Sequence, residues 1–82
     1  MLFRSLATSI YPNPSQGVFE FTILENAPVT LTITDLTGRE VFSHAYDTNE
    51  KTIFNLSNQS DGIYIASFEC NGKRSVRRII KN

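Results

Sequence analysis

His44 and Cys70 are the only histidine and the only cysteine of the chain, and they bound what its side chains can do chemically. A transition-metal site needs several converging His, Cys or carboxylate ligands, and acid–base catalysis by imidazole needs a positioned partner. His44 lies in Val41-Phe42-Ser43-His44-Ala45-Tyr46 with no second histidine to join it, and reads as an outward-facing strand residue beside Phe42 and Tyr46. Cys70 rules out an internal disulfide; sharing parity with Tyr64 and Phe68, it reads as a small buried hydrophobe rather than a reactive thiol. Serines are plentiful but no base accompanies them, so a nucleophile would lack activation. Asp35, Asp47 and Asp61 each fall in a turn-forming segment. Calcium favours such oxygen ligands, yet the alternating Asp-x-Asp-x-Asp loop is missing and Asx-turn chemistry accounts for each aspartate singly. The expectation is a chain with no metal, no cofactor and no enzymatic activity.

Charge is where the sequence becomes unusual. The net charge is zero, but Lys73, Arg74, Arg77, Arg78 and Lys81 all fall in the last ten residues, which contain no acid. Before them Arg4, Arg39 and Lys51 stand against eight carboxylates, leaving that part at −5. Val76, Ile79 and Ile80 are set among these cations, as in a strand. Basic side chains on a strand can protect a sheet edge from unwanted pairing. They can equally be read by another protein. Nucleic acid is disfavoured as a partner, because the rest of the molecule is acidic.

The elements that carry these residues follow from alternation. Phe19, Phe21 and Ile23 alternate with Glu20 and Thr22, and Val29, Leu31 and Ile33 with threonines. Tyr64, Ala66, Phe68 and Cys70 share one face of a further run, and Ile63, Ile65, Ser67 and Glu69 the other. Period-two patterning rich in β-branched residues predicts half-buried strands, and no helical stripe competes with it. Breaks recur every eight to twelve residues: Pro12 to Gly17, Glu25 to Pro28, Asp35 to Gly38, a polar hairpin loop at Asp47 to Glu50, Ser57 to Gly62, and Asn71-Gly72. Asp35-Leu36-Thr37-Gly38 predicts a turn in which Asp35 accepts from the backbone ahead, and Asn71-Gly72 a two-residue type I′ hairpin. The predicted strands are 7–11, 18–24, 29–36, 39–46, 51–56, 63–70 and 73–80. Seven short strands at this spacing predict an all-β, antiparallel, Ig-like β-sandwich.

Eighty-two residues with 40% apolar and 20% charged side chains suit one small globular domain over 1–82, with residues 1–9 a linker remnant or a first strand. No run approaches the ~20 apolar residues of a membrane span, and the N-terminal stretch is too short and polar for a signal-peptide core. If the protein is exported, its signal peptide must lie elsewhere, and the chain is then a piece of something longer. Tyr11, Tyr46 and Phe54 could in principle form a sugar platform, so an Ig-like adhesion or carbohydrate-binding module is the alternative reading.

In order and spacing, the motifs resemble the C-terminal sorting domain of the type IX (Por) secretion system of Bacteroidetes. The resemblance runs from Ile10-Tyr11-Pro12-Asn13-Pro14-Ser15-Gln16-Gly17-Val18-Phe19, through Val29 to Val41 around Asp35 and Gly38, to Asp61-Gly62-Ile63-Tyr64-Ile65-Ala66. It continues over Asn71-Gly72-Lys73 to Arg78-Ile79-Ile80-Lys81. Arg39 and Arg78 stand where lysine is frequent, which keeps the charge. The resemblance implies a non-catalytic signal at the end of a covalently linked upstream cargo that transits the periplasm. An outer-membrane translocon reads the signal, and a sortase-like peptidase often removes it, leaving cargo at the cell surface or in the medium. By the same resemblance Arg77, Arg78, Ile79, Ile80 and Lys81 are the expected recognition residues. Pro12, Asn13, Pro14, Asp35, Gly38, Gly62 and Tyr64 are expected to hold the fold that presents them.

Overall fold

The computed structural model describes residues 8–82, and the seven expected strands are all present. They are β1 (Thr8–Tyr11), β2 (Val18–Ile23), β3 (Val29–Asp35), β4 (Glu40–Tyr46), β5 (Ile53–Asn55), β6 (Gly62–Cys70) and β7 (Lys73–Lys81). Ala7, the first residue of the first expected strand, lies outside the described residues, as do residues 1–6 of the expected linker remnant. A three-stranded sheet, β1-β2-β5, faces a four-stranded sheet, β4-β3-β6-β7, and every strand pair is antiparallel. The result is a seven-stranded antiparallel sandwich of Ig-like form.

Alternation explains why the two sheets close on each other. Phe19, Phe21 and Phe54 point inward from one sheet, and Leu31, Ile33, Tyr64, Ala66, Phe68, Cys70 and Ile79 from the other. The aromatic rings lock the layers together. Phe21 meets Phe68 and Tyr46 of the opposite sheet with ring centroids 4.9 and 5.1 Å apart, while within its own sheet Phe19 stacks on Phe54 at 5.1 Å. Aromatic pairs at such distances add to the burial of their area, and these stand where the two inner faces meet.

Two turns form as their residues dictate. Asn71 and Gly72 both take positive φ, 52° and 76°, which a type I′ turn requires and which glycine adopts without steric cost. At the β3–β4 turn the Gly38 N–H donates to the Asp35 carbonyl at 3.0 Å. One loop differs from expectation: Asp47 to Glu50 is not a hairpin, because β4 and β5 belong to different sheets and the segment crosses between them.

The face of β4 also reverses the expectation. Phe42, His44 and Tyr46 do share a face, but it is the inner one, in register with Ile33, Leu31 and Val29. Tyr46 is buried, its ring meeting Phe21 edge-on at 5.1 Å and its hydroxyl donating to the Ile53 carbonyl at 2.7 Å. Burial, with the Glu50 charge adding, pushes the Tyr46 phenol up to about 12. His44 stays accessible because β4 is an edge strand and the short β5 does not cover it. Two of the three candidate sugar-stacking rings, Tyr46 and Phe54, are thereby consumed by the core.

Candidate recognition edge

The basic ending forms β7, one edge of the four-stranded sheet. Because Cys70 pairs with Lys73 across the two-residue turn, odd-numbered residues of β7 bond to β6 and even-numbered ones direct N–H and C=O outward. An open edge nine residues long is a template for strand pairing.

Its distal half is not left open. The segment between β1 and β2, Pro12 to Gly17, folds across it. The Asn13 side chain donates from Nδ2 to the Arg78 carbonyl at 3.1 Å and accepts the Ile80 N–H on Oδ1 at 2.9 Å. One side-chain amide thus satisfies the two backbone groups that a neighbouring strand would occupy. Ser15 then continues with true backbone bonds: its N–H donates to the Ile80 carbonyl at 3.0 Å, and its carbonyl accepts the Asn82 N–H at 2.9 Å. The Ser15–Lys81 bridge is parallel.

Local contacts shape the segment. The buried Ser15 hydroxyl donates to the Val18 carbonyl at 2.5 Å and accepts the Gly17 N–H at 3.1 Å. Gly17 admits no side chain for want of room: a Cβ there would strike the Ser57 hydroxyl and lie 3.0 Å from its Cα. The peptide bonds before Pro12 and Pro14 are both cis.

The cations of β7 divide by residue type. Lys73 pairs with Glu25 at 2.8 Å, and Lys81 with Asp61 at 2.9 Å. The Lys81 side chain is only 10% exposed, so this lysine works within the fold. Arg74, Arg77 and Arg78 are exposed, and none has an ion-pair partner among the described residues. Arg77 donates to the Val76 carbonyl at 3.0 Å. Of the five residues expected to be read, Ile79 is fully buried and Lys81 nearly so; Arg77, Arg78 and Ile80 are on the surface.

The remaining motif residues gather at the same end of the sandwich. Asp35 pairs with Tyr64, Tyr64 with Ile79, and Gly62 with Lys81, so they form adjacent rows across the sheet. Tyr64 is buried, with its hydroxyl donating to the Ser60 carbonyl at 2.6 Å. Asp35 Oδ1 accepts the Thr37 hydroxyl at 2.6 Å and the N–H groups of Thr37 and Arg39 at 2.9 and 3.0 Å; its Oδ2 takes the Arg39 guanidinium at 3.2 Å. The Thr37 hydroxyl first, then the backbone donors and Arg39, hold its carboxyl down to about 2 against the ordinary 3.8. A depressed folded-state value stabilises the turn above the ordinary value, and that contribution is lost as pH falls through about 2. The Thr37 amide resonance should accordingly titrate with a midpoint near 2, and a midpoint near 3.8 would show that the turn does not hold the carboxylate.

Other reactive groups are dispersed. His44 Nε2 and Glu50 Oε2 lie 2.6 Å apart, and the Asp47 N–H together with His44 lowers the Glu50 carboxyl. The pair sits on the opposite, β4–β5 side of the sandwich. Cys70 is buried, its thiol 3.8 Å from the Ala27 carbonyl. No cluster of three His, Cys, Asp or Glu side chains occurs among the described residues.

The pairing of Pro12–Ser15 with β7 was not visible in sequence, nor were the partners of Lys73 and Lys81. Each joins residues tens of positions apart through single polar contacts, which leave no periodic trace. The one local signal was Asn13 itself, a polar residue between two prolines.

A family model described as "Secretion system C-terminal sorting domain" matches residues 9–82. No curated protein matches the chain.

Proposed function

The chain belongs to the family of secretion-system C-terminal sorting domains, and on that premise we propose how it is read. Domains of this family are sorting signals for type IX secretion, so the chain serves export across the outer membrane, to the cell surface or the medium. In our reading it is a single non-catalytic domain over 1–82, joined at its N-terminal side to a cargo that crosses the periplasm. The outer-membrane translocon engages the end of the sandwich where the Pro12–Ser15 segment meets β7. A sortase-like peptidase then removes the domain.

The observation that carries this reading is the Asn13 amide bonded to both Arg78 and Ile80. It makes the first and last motifs of the chain one surface, which presents Arg78 and Ile80 on the outer face of the sheet, with the exposed Arg77 on the other side of the same edge. Ile79 and Lys81 act from beneath, fixing β7 in register. Pro12, Asn13, Pro14, Asp35, Gly38, Gly62 and Tyr64 hold that end of the sheet in place.

The test is an export assay. Residues 1–82 are fused behind a periplasmically targeted fluorescent passenger in a Bacteroidetes host, with and without its type IX translocon. Translocon-dependent fluorescence outside the outer membrane is expected, and it should be lost when Arg77 and Arg78 are both changed to glutamine. A folded fusion that stays in the periplasm of both strains would overturn the assignment.

A further inference from the structure

The proximal half of β7 differs from the distal half in one respect: the Pro12–Ser15 segment does not cover it. Arg74 N–H and C=O, Val76 N–H and Arg78 N–H all point away from β6 and have no hydrogen-bond partner among the described residues. The Val76 carbonyl is occupied only by the guanidinium of its exposed neighbour Arg77, a contact that an incoming strand can displace. The side chains along this stretch are specific in kind. Arg74, Val76 and Arg78 stand in one row on the outer face of the sheet, opposite Glu69, Ser67 and Ile65. Val76 is 58% exposed, and the flanking arginines have no ion pair although both lysines of the strand have one.

We propose that this half-edge accepts an extended segment of a partner polypeptide as an eighth strand, with acidic side chains facing Arg74 and Arg78 and an apolar one facing Val76. In a strand added in either direction, side chains opposite a row lie on the same face as that row. Arg74 and Arg78 are about 13 Å apart at the rise of a strand, so the partner's acids fall at positions i and i+4 with the apolar residue at i+2. Guanidinium groups suit carboxylates because their planar fork can donate two parallel bonds. The neighbouring N–H and C=O groups favour a peptide over a phosphate-bearing lipid, since a headgroup cannot use the Arg74 carbonyl. This mode of binding rests on the recognition reading above and specifies the chemistry of the reader.

The test uses the 82-residue chain with nitrogen-15 labelling. The ligand is a synthetic nine-residue peptide with glutamate at its third and seventh positions, valine midway and threonine elsewhere. Amide exchange at Arg74, Val76 and Arg78 should slow about tenfold or more at saturation. The same peptide with lysine in place of glutamate should leave it unchanged. Changing Arg74 and Arg78 together to glutamine should weaken binding about tenfold, the scale of two exposed ion pairs.

Unslowed exchange with the acidic peptide, or equal slowing by the lysine peptide, would overturn the proposal. So would shifts confined to arginine side chains and reproduced by inorganic phosphate or phosphatidylglycerol vesicles, which would make the row an anion site. Absent peptide binding alongside intact translocon-dependent export would remove this inference alone. Intact peptide binding with no export would instead remove the reading on which it rests.

Discussion

Replacing Ile79 by alanine should lower the stability of the chain by about 2–5 kcal/mol, the range for large-to-small changes at fully buried aliphatic positions. Ile79 has no exposed surface, although it lies in an edge strand with only three residues after it in the sequence. It pairs with Tyr64, itself buried, and belongs to the same core as Phe19, Phe21 and Phe68. A domain of this size retains only ~3–5 kcal/mol after chain entropy is subtracted. The single change therefore removes most of the margin, and much of the protein should be unfolded at 37 °C. Ile80 is the internal control. It is 39% exposed on the opposite face, so Ile80→Ala should cost about 1 kcal/mol or less. Urea unfolding of the two variants checks both expectations, with a shift in midpoint and little change in slope. Equal midpoints for the two would mean that β7 does not contribute to the core.

The contrast bears on how any scan of the basic ending is interpreted. Loss of export on changing Ile79 or Lys81 reports loss of the fold, since one fills the core and the other sets an almost buried ammonium against Asp61. Arg74, Val76, Arg77, Arg78 and Ile80, all exposed, can be altered with the interior left intact. If the ending is read as we propose, it is both signal and structural member, and a deletion of ten residues removes both at once.

Alternation made the strands and most of their faces legible, because a period of two assigns each side chain to one side of a sheet. Phe19, Phe21, Leu31, Ile33, Tyr64, Ala66, Phe68 and Cys70 are all inside, as their parity requires. The local turns at Asp35 and Asn71 were legible for a related reason, since their chemistry is complete within four residues. Parity does not say which of two faces is inner. In β4 the row of Phe42, His44 and Tyr46 contains a histidine, and polarity pointed it to solvent; the burial of Tyr46 against Phe21 decided otherwise. Nor does parity say which strands are neighbours, so the crossing of Asp47–Glu50 between sheets and the docking of Pro12–Ser15 on β7 had to be seen. The candidate site suffered most from this, because it is made of contacts between the first motif and the last.

Asn13→Ala isolates that contact. The variant loses the donor to the Arg78 carbonyl and the acceptor for the Ile80 N–H, bonds of 3.1 and 2.9 Å that place an amide where a strand would be. Each such bond contributes roughly 0.5–1.5 kcal/mol net, so stability should fall by about 1–3 kcal/mol, a smaller loss than at Ile79. The larger consequence is local. The Ile80 amide should exchange about tenfold faster, while the Asn82 amide, held by the Ser15 carbonyl, should change less. Asn13→Asp should behave differently: it keeps an acceptor for Ile80 but sets a carboxylate against the Arg78 carbonyl, where no donor remains. Its Ile80 amide should stay slower than in Asn13→Ala, although the segment is held by one bond fewer. If Ile80 and Asn82 accelerate together in Asn13→Ala, the segment lifts as a unit, and Asn13 is what seats it. If neither accelerates, Ser15 alone holds the segment, and the paired prolines rather than the amide between them set its path. Export measured beside exchange then shows which matters to the reader. Lost export with an intact core and a fast Ile80 amide would mean that the covered edge, and not the arginines alone, is what is recognised.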